Sequence, residues 1–189
     1  GVYGRWPRPS PAPSSVGAVN VNYAFDRFLR YDEMTAWLHE LAADHPELMT
    51  VESYGHSFEG RDLWVATLTD GSTGAHDTKP AHWVDANIHA IEVTGGVAAL
   101  HLIHHLVSGF GSDQMVTEAL RTRTFYVVPR VNPDGVEWAL ADSPQFRRSS
   151  VRPWPWRDAH LAPGLHERDI DNLRRAFTSS RAMMLAPIE

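Results

Sequence analysis

A histidine and a glutamate three residues apart, His89 and Glu92, are the residues of this sequence best placed to do chemistry together. The segment His89-Ala90-Ile91-Glu92 lies where an apolar strand pattern ends and a helical pattern begins. In open α/β sheets, ligand sites gather at the carboxyl ends of strands. An imidazole and a carboxylate converging across such a turn can share one cation; catalytic zinc takes three protein ligands, and two His with one Glu is a known set. The chain has no cysteine, so a metal here would have only nitrogen and oxygen ligands. Spacing alone is a weak signal: with 11 histidines in the chain, chance gives about 0.6 His-x-x-Glu pairs. The position at the strand end is what raises the pair above its background.

Other groupings compete with it. His101 and His105 stand four apart, a spacing that binds zinc on some helices, and His104 joins them. On a helical wheel, however, these three share an arc with Ser108, opposite Ala99, Leu100, Leu102, Ile103, Leu106 and Val107. They read as the wetted face of an amphipathic helix. Arg147, Arg148 and Arg152 form a cationic cluster in a loop, and Arg61 follows Gly60 in a turn. The guanidinium fork suits carboxylates and developing oxyanions, while a solvated surface run is the plainer reading of such arginines. Asp169-Ile170-Asp171-Asn172 opens like a calcium loop but lacks the required glycine and distant glutamate. There is no Gly-x-Ser-x-Gly elbow and no glycine-rich phosphate loop, which removes support for a serine hydrolase or a nucleotide enzyme.

The elements that must position these residues follow from periodicity. Met34, Trp37, Leu38 and Leu41 recur on one helical face, predicting a helix over Tyr31–His45 with Asp32 as its N-cap. Strands are expected at 49–54 and 63–69, followed by a loop over 71–80 and a largely buried strand over 81–87. Helices are expected over 94–108 and 113–120, then a strand over 124–131 and a turn at Asn132-Pro133-Asp134-Gly135. Beyond Ser143 the chain reads as loop. The alternation predicts an α/β fold with an open, mostly parallel or mixed sheet flanked by helices. Residues 1–25, rich in Pro and Ser, read as a leader or linker, 26–172 as the domain, and 173–189 as an unassigned tail.

With 189 residues and 43% hydrophobic content, the chain can bury one sizeable core. A net charge of −6 with no basic block leaves nucleic-acid binding without an electrostatic footprint. No apolar run approaches the roughly 18 residues that span a bilayer, so a soluble chain is expected. Nothing in the sequence assigns it to the cytoplasm or to secretion.

Four short pieces then occur in a familiar order. Ser57-Phe58-Glu59-Gly60-Arg61-Asp62-Leu63, Asn87-Ile88-His89-Ala90-Ile91-Glu92, Val131-Asn132-Pro133-Asp134-Gly135 and Phe146 to Arg152 together resemble the zinc carboxypeptidases, the M14 metallopeptidases, over about Tyr31 to Asp171. The segment from Ser149 through Asp171 looks closest to a large bacterial branch with an insertion. The resemblance implies Zn2+ as cofactor, His89 and Glu92 as metal ligands, and Arg148, or its neighbour Arg147, as the group that polarises the scissile carbonyl. It also implies Arg61 near a substrate subsite, and peptide or protein C-termini as substrates.

The family's later parts do not follow. No convincing Asn-Arg pair is present, Asn172-Leu173-Arg174-Arg175 does not match it, and neither Glu167 nor Glu189 has the surroundings of a general base. The expectation is therefore the front portion of a carboxypeptidase domain, truncated and inactive alone. An incomplete sheet leaves an unpaired edge, so self-association is expected as well. Two other readings remain at this stage: a non-catalytic peptide-binding module, and a zinc amidohydrolase acting on N-acyl amino acids.

Overall fold

The computed structural model describes residues 23–149 and residue 151, in which four strands and four α-helices form an open sheet with helices against it. Helix α1 (Tyr31–Asp44) leads into β1 (Met49–His56) and β2 (Asp62–Leu68). Two short 3-10 turns fill the expected loop before β3 (Ala81–Asp85). Helices α2 (Val93–Gly109) and α3 (Gln114–Thr122) precede β4 (Thr124–Val128), and α4 (Pro133–Ala139) follows.

The strand order is β1-β2-β4-β3. The β1–β2 and β2–β4 pairs are antiparallel, while β3 and β4 are parallel and joined through α2 and α3, so the sheet is mixed. Alternation places Ala66, Leu68 and Val127 on one face, all fully buried. They meet Met34, Trp37 and Leu38 of α1, Leu100, Ile103 and Leu106 of α2, and Leu120 of α3 in one core. On α2, His101, His104 and His105 stay exposed, and Phe25 packs its ring 5.0 Å from His101 and 5.3 Å from His104. Partial burial, and then His101 and His105, hold the His104 imidazole below its ordinary value. Among the described residues no single helix is long and apolar enough to cross a membrane.

Four expectations need correction. Helix α1 is capped at Arg30, not Asp32: Glu33 accepts from the Arg30 N–H at 2.8 Å, and Glu137 accepts from the Tyr31 N–H at 2.8 Å. Two carboxylates from outside the cap position thus satisfy first-turn donors. Tyr23 and Phe25, assigned to the leader, instead pack against Trp37, and Tyr23 is buried. The Asn132 to Gly135 turn is the start of α4, with Asn132 as N-cap and Pro133 at the first helical position, where a missing N–H costs nothing. Finally, β3 is not largely buried. Among the described residues it is an edge strand, exposed along Ala81, His82, Trp83 and Asp85, because no described strand pairs with its outer side. The tail over 173–189 lies outside the described residues.

Two outcomes follow. Ile103→Ala empties a site in the core and is expected to cost about 2–5 kcal/mol in urea unfolding, while His105→Ala on the exposed face changes stability by less than about 0.5 kcal/mol. Equal losses would contradict the assignment of faces. If β3, an edge strand among the described residues, drives self-association, Trp83→Lys, which places a charge on that strand, should shift sedimentation profiles toward monomer. A wild-type chain that sediments as a monomer at every concentration would contradict this.

Candidate metal centre

The chain leaves β3 at Asp85 and reaches the helix of α2 at Val93, so His89 and Glu92 sit on the connection between them. Tethers of two kinds hold that connection. The Ala86 N–H donates to Val128 O at 3.0 Å, the Val131 N–H to Ala86 O at 2.9 Å, and the Asn132 N–H to Asn87 O at 3.0 Å, which bind the chain after β3 to the chain after β4. Within the connection, the Glu92 N–H donates to His89 O at 3.2 Å and the Gly95 N–H to Glu92 O at 3.1 Å. Glu92 is the N-cap residue of α2, yet its side chain makes no capping hydrogen bond and remains available for other work.

His89 Nδ1 faces both carboxylate oxygens of Glu92 at 3.2 Å. An imidazole nitrogen and a carboxylate brought together on one turn have the donor chemistry of zinc ligands. The pair therefore fits Zn2+ as two ligands of a larger set. Among the described residues no group of three or more His, Asp or Glu could hold a metal. His160 and His166, further histidines of the sequence that have no motif around them, lie outside the described residues.

The arginine loop reaches the same place through its backbone. The Ala90 N–H donates to Arg148 O at 2.9 Å, and Asn132 Nδ2 donates to Ser149 O. Arg147 and Arg148 are exposed, and their guanidiniums carry no ion pair among the described residues. Arg148 is thus held next to the residue that follows His89. Arg152 lies outside the described residues. A cleft of about 420 Å³ beside His89 is lined by Phe58, Leu63, Ile88, Val131 and Pro133, with Ser57 and Asn132 supplying polar groups.

Arg61 is placed differently. Its guanidinium binds Asp134 at 2.7 Å and Glu59 at 2.5 Å and lies 5.9 Å from the Tyr31 ring centre. Asp134, 2% exposed, also accepts from Ser57 Oγ at 2.7 Å and from the Glu59 N–H at 2.9 Å. Burial lowers the Arg61 pKa, but the Glu59 and Asp134 hydrogen bonds outweigh it and leave the guanidinium above its ordinary value. Arg61 Nη1 thereby ties the Ser57–Arg61 turn to α4.

Asp134 was legible in sequence only as part of a turn motif; its role as a buried acceptor depends on the Ser57 turn, 77 residues away. The approach of α4 to the ligand turn also requires Gly135. A Cβ there would fall 2.5 Å from Ala90 Cβ.

Comparison with known proteins identifies the family. A family model described as zinc carboxypeptidase matches residues 34–164. The chain is 36% identical over 119 residues to carboxypeptidase B of Astacus astacus, covering 63% of this chain and 37% of that one. It is 29% identical over 126 residues to a zinc carboxypeptidase of Saccharothrix mutabilis subsp. capreolus, covering 67% and 29%. The crystal structure of carboxypeptidase A from Helicoverpa armigera superposes with a TM-score of 0.60 at 26% identity, over 74% of this chain and 32% of that one. The chain thus spans about a third of the length of the relatives it matches.

If Arg61 serves the fold, Arg61→Ala and Asp134→Asn should each cost about 3–5 kcal/mol in urea unfolding, the range for breaking a buried pair. Unchanged stability in Arg61→Ala would return that residue to the substrate subsite.

Proposed function

Because this chain belongs to the zinc carboxypeptidase family, we propose that it carries the metal-binding face of a zinc-dependent peptidase that hydrolyses C-terminal peptide bonds. The observation that carries the proposal is the facing pair, His89 Nδ1 at 3.2 Å from both oxygens of Glu92, at the carboxyl end of a strand. His89 and Glu92 hold Zn2+, which when bound polarises a peptide carbonyl and makes water a nucleophile near neutral pH.

The arginine loop is tied to the ligand-bearing turn through its backbone. Arg148, tethered by its carbonyl to Ala90, holds the carbonyl oxygen as negative charge develops on it, the task for which a fixed cation is most effective. Arg147 presents a second planar fork to a substrate carboxylate. The cleft at Phe58 and Ile88 receives apolar parts of the peptide and keeps water from them. Arg61 supports the wall of this cleft through its Nη1 contact with Asp134, which lines it.

With only these two donors placed together among the described residues, we propose that the 189-residue chain binds the metal weakly and hydrolyses peptides negligibly on its own. Titration with Zn2+ beside His89→Ala tests the centre. Weak binding abolished by the substitution is the expected result. Tight one-to-one binding would mean that a third ligand lies within the chain, with His160 and His166 the first to substitute. Binding unaffected by His89→Ala would refute the assignment of the centre. Release of C-terminal amino acids that a chelator stops, by the pure chain, would refute the proposed inactivity.

A further inference from the structure

We propose that Asn87 is the positioning residue of the metal centre, holding His89 and Glu92 in ligating register by clasping the loop that carries both. The inference rests on the zinc reading of that pair.

Asn87 lies two residues beyond the end of β3 and adopts φ +54°, in the left-handed region that asparagine tolerates better than most residues. This sends the main chain sharply out of the sheet and turns the side chain inward, where Asn87 is 4% exposed. Its Nδ2 donates to Glu92 O at 2.7 Å. The bond closes a loop from 87 to 92, with both proposed ligands inside the closed segment. Asn87 O meanwhile accepts from the Asn132 N–H at 3.0 Å. One residue is therefore tied by its side chain to the N-cap of α2 and by its backbone to the N-cap of α4.

The amide's orientation follows from what each of its ends faces. Oδ1 is buried with no hydrogen-bond partner among the described residues. A buried acceptor left unpaired costs stability, and turning the amide over would set its oxygen against the Glu92 carbonyl. The donor end is therefore what the position is used for. Room for the side chain comes from Gly96 on α2: a Cβ there would fall 2.3 Å from Oδ1 and 3.3 Å from Pro129 O. Asn87 and Gly96 are thus one device, built from two elements. A loop closed before the ion arrives spares binding the cost of ordering its ligands.

The test uses the full chain and Zn2+ in competition with a chromophoric chelator. Asn87→Gly keeps the backbone conformation and removes the clasp. Asn87→Asp keeps the shape and removes the donor, and Gly96→Ala evicts the side chain. Each is expected to weaken zinc affinity about 10- to 100-fold, the range for residues that orient ligands, with far-UV circular dichroism unchanged. The Asn87→Gly, Gly96→Ala double variant should be no weaker than the worse single one, since both remove one interaction. Wild-type affinity in both Asn87 variants would overturn the proposal. His89→Ala separates the two readings: if it binds zinc like the wild type, the metal assignment fails. The clasp is then judged by hydrogen exchange at the Glu92 and Gly95 amides without metal, where faster exchange in Asn87→Gly supports it and unchanged exchange overturns it.

Discussion

Asp134 is a carboxylate with almost no contact with water, and the architecture around the proposed metal centre depends on how its charge is met. A buried charge is tolerated only when paired and hydrogen-bonded. Here a hydroxyl, a backbone N–H and a guanidinium supply the partners, all from the Ser57–Arg61 turn. The residue sits in the first turn of α4, where a negative charge also suits the helix dipole. Asp134 therefore brings the β1–β2 connection against the start of α4, and the neighbouring Gly135 lets α4 press onto Ala90, between the two proposed ligands.

A second charged knot anchors the other end of α4. Glu137 accepts from Arg30 Nε at 2.9 Å and from the Tyr31 N–H at 2.8 Å, and Arg130 lies beside it with Nη1 at 3.8 Å. Burial pulls the Arg130 guanidinium down to about 10, against the opposing pull of Glu137. Arg130 also donates from Nη2 to Leu29 O at 2.8 Å. The segment entering α1, the exit of β4 and α4 are thus joined through ionic groups rather than apolar contacts alone. A short helix of seven residues has little stability of its own, so these fixed partners at both ends hold it against the ligand turn.

The sheet shows where apolar patterning could be read and where it misled. In the apolar run of β4, Val127 and Val128 are fully buried, while Phe125 and Tyr126 are only half-buried. In β3 a similar run belongs to an exposed edge, with Trp83 62% exposed. Apolar content marks a strand as suited to burial, but which neighbours cover it depends on strand order, which local sequence does not encode. The helix of α2 was easier, because two faces of opposite polarity on one helix leave a single way to bury it.

The sequence by itself determined the types of the strands and of the first three helices, though not α4, together with the wetted histidine face of α2 and the family, since four short motifs in fixed order are carried by the chain directly. It also determined that His89 and Glu92 fall at a strand end. Only the tertiary structure decided the uses of the polar residues around them. Arg61 and Arg148 are alike in sequence, yet one is bound by Asp134 and Glu59 while the backbone of the other is tied beside His89. Asn87 is one more polar residue until its amide meets Glu92 O and its oxygen meets the space left by Gly96. These assignments depend on distances between segments far apart in the chain, and a side chain's task is set by the partner that folding brings within hydrogen-bonding reach.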